Sequence, residues 1–329
     1  RFKMPDKREI RFRDLVRGWV LVHSSTLDDK VILKSDGLAT YHLANVVDDY
    51  LMKITHVIRG EEWLPSAPLH ILLYEAFNWE SDMPDYAHLP LIMKPDGNGK
   101  LSKRAADKGG FPIFPLNWTD PVSGEIFQGF REMGFSSKAI INFLSLLGWN
   151  PGGDQEIFDL KSLIKKFSIE RIGKSGTKFD FEKAKWFNQH YLKTMNFENL
   201  ALGVIKDLYD DYSIECSPQL GKQIVELFVQ RVTFPREFAK ASQFIFHQPQ
   251  LYDQKVIHKK WNEKSKNALN VYAIKLDALS EINGDEAREL FQKTMASIKI
   301  NPGKVLQLLR VSIMGEGSGP DLMKIIEIL

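Results

Sequence analysis

Eleven residues, Lys94-Pro95-Asp96-Gly97-Asn98-Gly99-Lys100-Leu101-Ser102-Lys103-Arg104, carry four cations around a Gly-Asn-Gly turn. They follow the apolar run Leu89-Pro90-Leu91-Ile92-Met93, which reads as a buried strand. A flexible basic loop there suits a polyphosphate, because ammonium groups on long stems follow charge as it moves between phosphates. The phosphate-cradling P-loop pattern does not apply, since it needs a glycine where Lys94 stands. Upstream, Tyr41 and Asn45 are four apart and share one face if the segment is helical, so a phenol and a carboxamide could grip a small polar ligand. Arg59 follows His56-Val57-Ile58; its planar fork can hold a carboxylate through two parallel bonds. Each residue also has a plainer reading. Tyr41 and Trp63 serve as packing, Asn45 as a polar face, Arg59 as the partner of Glu61 or Glu62, and the loop as a solvated turn.

The elements that must position these residues are legible from periodicity. Ile10 to Lys34 reads as β, with strands at Trp19–His23 and Val31–Leu33 and turn residues between and after them. Thr40 caps a helix carrying Tyr41, Leu43, Ala44, Val46 and Val47. A strand at His56–Ile58, a helix from Ser66 to Phe77 and a strand from Leu89 to Met93 follow. Helix and strand alternating with short connections predict a parallel sheet, with the basic loop at a carboxyl end, where open α/β sheets bind ligands. Beyond Gly109-Gly110-Phe111-Pro112 helices dominate. Ile140, Phe143, Leu144 and Leu147 form one predicted apolar stripe, and no strand is expected after Asn188. Ser217-Pro218 and Asn301-Pro302 mark two helix starts.

Composition narrows the class. The 329 residues are 43% hydrophobic and 26% charged, enough for two or three domains with real cores. One cysteine, Cys216, excludes an internal disulfide framework and a multi-thiolate metal site, which fits a reducing, cytoplasmic setting. No apolar run reaches the roughly 20 residues of a membrane span. The spacing of His42, His56, His70 and His88 does not put them on one helix face, so no protein-bound metal is expected. The net charge of +2 is uninformative, but nine basic residues between Lys161 and Lys193 form a local excess able to track phosphates.

Taken together, Tyr41 through Asn45, Arg59 through Trp63 and the closing Lys100-Leu101-Ser102-Lys103-Arg104 resemble the second half of the glutamyl-tRNA synthetase catalytic domain. The final pentapeptide is similar to the Lys-Met-Ser-Lys-Ser signature of class I synthetases, with Arg104 in place of its last serine. The resemblance continues through Phe179–Asn188 and through Leu309–Ser312 to the end, and so covers essentially the whole sequence.

It implies a fold that is α/β plus all-α, with a Rossmann-type half-domain followed by a stem-contact region and a helical bundle. The expected divisions are 1–37 for the tail of an acceptor-binding insertion, 38–108 for the catalytic half, 109–190 for stem contact and 191–329 for anticodon binding. It implies that Tyr41, Asn45, Arg59 and Trp63 line a glutamate pocket. Lys100, Leu101, Ser102, Lys103 and Arg104 would meet ATP, with Lys100 and Lys103 stabilising charge as pyrophosphate leaves. Arg310 matches a position that meets the anticodon, while Arg231 and Arg236 are weaker candidates. The implied substrates are glutamate, ATP with Mg²⁺ as counter-ion, and tRNA(Glu), handled by a monomer. The His-Ile-Gly-His type signature has no counterpart, so the chain reads as part of something longer and inactive by itself. Glutaminyl-tRNA synthetase, with its β-barrel anticodon region, and a tRNA-binding module without chemistry are the competing readings.

Overall fold

The computed structural model describes residues 1–329, which divide into two compact units. The first comprises residues 1–130 and 137–187; the second comprises 131–136 and 188–329.

In the first unit, β1 (Glu9–Asp14) and β2 (Gly18–His23) form an antiparallel hairpin. There follow α1 (Tyr41–Leu51), β3 (His56–Gly60), a 3₁₀ turn (Glu61–Ser66), α2 (Ala67–Ala76) and β4 (Asp85–Leu89). The four strands make one sheet in the order β2-β1-β4-β3, with β4 parallel to both β1 and β3. Ile10, Phe12 and Asp14 alternate onto the buried face of β1, so a carboxylate closes a strand whose other inward residues are apolar. Helix α2 is buried at every position from Ala67 to Tyr74; its Ile71 and Leu72 pack with Ile10, Phe12 and Tyr86 of the sheet. Each fully buried side chain of this size contributes about 1.5–3 kcal/mol.

Two expected strands turn out otherwise. Val31–Leu33 forms no strand, only isolated bridges from Lys30 to Phe2 and from Leu33 to Ala39. The Thr40 hydroxyl donates to the carbonyls of Val31 (3.0 Å) and Ile32 (3.3 Å), so it anchors this segment instead of capping α1 with its side chain. The expected strand Leu89–Met93 is broken at Pro90, which lacks the N–H a ladder needs. Its second part, β5 (Ile92–Met93), pairs in parallel with β8 (Thr177–Lys178), outside the four-stranded sheet.

The basic loop therefore leaves β5. It is closed by the Lys94 N–H to Gly99 carbonyl bond (3.0 Å) and the Leu101 N–H to Ile92 carbonyl bond (2.8 Å). Ser102 then caps α3 (Lys103–Lys108), its Oγ accepting the Ala105 amide at 3.2 Å. A ribbon of β6 (Trp118–Thr119) and β7 (Ile126–Phe127) precedes α4 (Phe130–Met133), α5 (Ser137–Ser145) and α6 (Leu160–Lys166). On α5 the buried residues are Ala139, Asn142 and Phe143; Leu144, expected inward, faces out, because the buried face is centred on these three residues and not on the Ile140–Leu144 side.

The unit boundary falls within α7 (Phe181–Leu192), between Phe187 and Asn188. The second unit contains no strand. Its helices are α8 (Phe197–Tyr212), α9 (Pro218–Phe228), α10 (Glu237–Ala241), α11 (Gln254–Lys260), α12 (Glu263–Asp277), α13 (Gly284–Ile298), α14 (Pro302–Met314) and α15 (Leu322–Ile328). Leu208, Ile224, Phe238, Tyr272, Met295 and Ile325 lie in one apolar core. Starts are marked as the sequence predicts: Ser217 accepts from the Leu220 amide and Asn301 from the Gly303 amide, each before a proline in the first turn. No helix of the chain is long and apolar enough to cross a membrane.

Candidate active site

Three adjacent strand ends place Asp14, His88 and Arg59 in a row across the carboxyl edge of the sheet. Arg59 and His88 face each other in the β3–β4 register, which puts their side chains on one face. Asp14, the last residue of β1, reaches His88 from the other side. The Arg59 Nε–H donates to His88 Nε2 at 3.1 Å, and His88 Nδ1 lies 2.6 Å from Asp14 Oδ2. From above the sheet, His70 of α2 brings Nδ1 to 3.3 Å from Arg59 Nη1, and its Nε2 lies 3.0 Å from His42 Nδ1 on α1. The Arg59 guanidinium carbon stands 5.5 Å from the centre of the Tyr86 ring.

The other expected pocket residues lie on α1 and on the 3₁₀ turn after β3, and the Tyr41 ring stands 6.4 Å from that of His70. Tyr41 and Trp63 are about half and a third exposed (48% and 37%), their rings 4.6 Å apart. Asn45 shares the α1 face with Tyr41 and Asp49, and its Oδ1 is buried without a hydrogen-bond partner. Arg59 Nη2 is likewise buried and unpartnered. An unsatisfied buried donor and acceptor are each costly in a folded chain. Burial raises the Asp49 carboxyl, and the Arg59 charge and the Asn45 amide only partly offset this. Burial, the Arg59 charge and the neighbouring imidazoles push the His70 imidazole down to about 3. Burial also pushes the Asp14 carboxyl up, but the bond to His88 and the amides of Arg17, Val16 and His88 prevail and hold it below the usual range.

Neither glutamate partner considered for Arg59 contacts it. Glu61 pairs with Arg17 (2.5 Å) and accepts the Leu91 amide (3.1 Å); Glu62 pairs with Lys100. The short turn after Arg59 is thus tied to the stem and flank of the basic loop. Lys103 lies over the Trp118 ring, 4.0 Å from its centre, and 5.4 Å from that of Phe114. Leu101 is half-buried, while Ser102, Lys103 and Arg104 are exposed.

The sequence spacing of the histidines bears only on metal ligation and does not announce this network. His70 and His88 flank Arg59 as hydrogen-bond partners and His42 bonds His70; His56 stays apart, bonded to Thr55. Two signals were available: Asp14 in phase with Ile10 and Phe12, and His70 inside the otherwise unbroken apolar run of α2.

In the second unit, Arg310 is half-buried and donates from Nη1 to the Pro320 carbonyl at 2.6 Å. With Arg231, Arg288, Gln292 and Leu306 it lines a cavity of about 480 Å³. Burial and the Arg231 charge push the Arg310 guanidinium below its ordinary value.

The chain thus joins a sheet with a cation at its carboxyl edge and a basic loop to an all-helical second unit. Residues 1–186 match the family described as tRNA synthetases class I (E and Q), catalytic domain, and residues 182–329 match the anticodon binding domain. The chain belongs to the class I tRNA synthetase (E and Q) family. Among its relatives is the glutamate–tRNA ligase of Cytophaga hutchinsonii, 51% identical over 330 residues, covering all of this chain and 64% of that protein. That of Amoebophilus asiaticus is 52% identical over 329 residues, again covering all of this chain and 64% of the relative. A crystal structure of the glutamate tRNA ligase from Elizabethkingia meningosepticum, in complex with its amino acid, superposes with a TM-score of 0.90 at 42% identity. It covers 99% of this chain, which spans 64% of that one. The chain thus spans somewhat under two thirds of the relatives it matches.

Proposed function

We propose that this chain is part of an enzyme that joins glutamate to tRNA(Glu) through a glutamyl-adenylate formed from MgATP. The observation that carries the reading is Arg59. It is a half-buried cation whose hydrogen bonds go to neutral imidazoles, with Nη2 left unsatisfied, and on α1 the Asn45 Oδ1 likewise lacks a donor. A carboxylate answers the first and an ammonium the second, and glutamate carries both. Tyr41 and Trp63 complete the pocket in this reading. The uncompensated cation also favours a carboxylate over a carboxamide, hence glutamate over glutamine.

Lys100, Leu101, Ser102, Lys103 and Arg104 then face ATP. Glutamate's α-carboxylate attacks the α-phosphorus and pyrophosphate departs; Lys100 and Lys103 balance the charge that builds on the leaving group. A ribose hydroxyl of the tRNA's terminal adenosine next attacks the mixed anhydride and releases AMP. Neither step needs a covalent protein intermediate, so orientation and electrostatics supply the acceleration. Mg²⁺ travels with the ATP phosphates as counter-ion. Arg310, at its arginine-lined cavity, meets the anticodon, and the enzyme acts as a monomer in the cytoplasm.

The test is glutamate-dependent pyrophosphate exchange by the whole protein. Arg59→Ala should raise the glutamate KM steeply and leave the ATP KM alone, whereas Lys103→Ala should lower kcat with little change for glutamate. Unchanged glutamate kinetics in Arg59→Ala would remove Arg59 from the pocket. The 329-residue chain by itself should show no exchange.

A further inference from the structure

An arginine can only donate, and this fixes the proton positions on both sides of Arg59. Since Arg59 Nε–H donates to His88 Nε2, the His88 proton sits on Nδ1 and is aimed at Asp14 Oδ2, 2.6 Å away. Since Arg59 Nη1 donates to His70 Nδ1, the His70 proton sits on Nε2 and is given to His42 Nδ1 at 3.0 Å. Asp14, His70 and His88 are all essentially without solvent exposure, so no water can substitute in these bonds. No carboxylate forms an ion pair with Arg59; Asp49 feels its charge but is bonded to Asn45. The fold therefore uses two neutral rings where a carboxylate would have bound more strongly and cancelled the charge.

We propose that Asp14, His88 and His70 are positioning residues for the amino-acid site: Asp14 sets the tautomer of His88, and the two imidazoles hold the Arg59 guanidinium in place while leaving its charge for the substrate's side-chain carboxylate. This rests on the reading of Arg59 as the glutamate contact. Asp14 touches no substrate and acts two bonds removed, through His88 and then Arg59. Its two oxygens are assigned different tasks. Oδ1 accepts the turn amides of Val16 (3.0 Å) and Arg17 (2.8 Å), while Oδ2 takes the His88 ring at 2.6 Å and the His88 backbone amide at 3.1 Å. In Asp14→Asn the amide oxygen stays with the turn and keeps the longer of the two His88 backbone contacts (3.3 Å), and the amide nitrogen faces His88 Nδ1. The ring must then accept there and carry its proton on Nε2, donor against donor at Arg59 Nε. A buried side-chain carboxylate holding an imidazole in its working tautomer follows the same logic in hydrolase triads.

In the whole protein, Asp14→Asn is expected to raise the glutamate KM about tenfold or more, with the ATP KM within about twofold of the parent. On an Arg59→Ala background the same substitution should add nothing, because its route to the substrate is gone. His70→Leu, similar in volume and lacking the acceptor for Nη1, should show the same split between glutamate and ATP, and it carries the test if Asp14→Asn does not fold. A raised glutamate KM in Arg59→Ala beside unchanged values in Asp14→Asn and His70→Leu would overturn the positioning role alone. So would effects that add fully to Arg59→Ala, or that raise both KM values together, since those describe general damage to the sheet. An Arg59→Ala enzyme with normal glutamate kinetics would overturn the pocket assignment itself, and the positioning role with it.

Discussion

The carboxylate of Glu62 grips the ammonium of Lys100, joining the turn that follows Arg59 to the basic loop. The hydrogen bond from Lys100 holds the Glu62 carboxyl below its ordinary value. If the loop serves ATP, the phosphates must take Lys100 from this partner. Glu62→Gln should therefore lower the ATP KM of the whole protein by about two- to fivefold, the range open to an exposed ion pair, and leave the glutamate KM unchanged. A higher ATP KM would mean that Glu62 presents Lys100 to the nucleotide instead of competing for it.

Stability should depend on pH through His70. Its ordinary value is 6.5 and the folded chain holds it near 3, so between these the unfolded chain binds a proton that the folded chain refuses. The contribution is fully present above about pH 6.5 and is lost as the pH falls, at up to about 1.4 kcal/mol per unit. Burial, Lys30 and Arg59 push His42 the same way. Asp14 is shifted below 3.8, so its stabilising share is lost only under more acidic conditions. Urea unfolding at about pH 7, 6 and 5 should show the decline in the parent and a flatter course in His70→Leu. Parallel curves for the two proteins would show that His70 titrates normally.

Much of this architecture is legible in the sequence, because periodicity and capping are local. The α1–β3–α2 order, the proline-led starts at Ser217 and Asn301 and the strand-free second unit follow from patterns within a dozen residues, whereas β4 (Asp85–Leu89) lies ahead of the strand expected at Leu89–Met93. Structure and sequence pattern part where a distant partner decides. Thr40 spends its hydroxyl on Val31 and Ile32, and Pro90 divides a run that hydropathy alone makes continuous. The Asp14–His88–Arg59–His70–His42 chain draws on β1, β4, β3, α2 and α1. No single window contains it, although a carboxylate in phase with Ile10 and Phe12 announces that something must answer it.

Asn188 is 2% exposed and carries three backbone bonds within the second unit. Its Oδ1 accepts the Ser136 amide at 2.9 Å, and its Nδ2 donates to the carbonyls of Gly134 (3.2 Å) and Thr233 (2.7 Å). No other side chain of that size offers an acceptor and two donors in this geometry. Asn188→Ala should cost about 2–4 kcal/mol, through the bonds lost and the partners left unsatisfied. Hydrogen exchange followed by mass spectrometry should show faster exchange in the peptide covering residues 131–136. Protection equal to that of the parent would mean that packing, including the edge-to-face Phe135–Phe234 pair at 4.9 Å, suffices to hold the segment.

Gly319 sets where Arg310 can lie. A Cβ there would stand 2.8 Å from Arg310 Nη1 and 2.6 Å from Met314 Cε, both ends of flexible side chains. The chain should therefore still fold in Gly319→Ala, but Arg310 must release the Pro320 carbonyl it holds at 2.6 Å. Burial and the neighbouring Arg231 already disfavour its charge, so the freed guanidinium should swing toward water. If Arg310 meets the anticodon as proposed, Gly319→Ala in the whole protein should weaken tRNA(Glu) binding several-fold, in the direction of Arg310→Ala, while pyrophosphate exchange stays normal. The double variant should bind no worse than Arg310→Ala, because both changes remove one contact. A strong defect in Arg310→Ala beside normal binding in Gly319→Ala would show that the arginine works without its tether. Normal binding in both would take Arg310 out of the RNA interface.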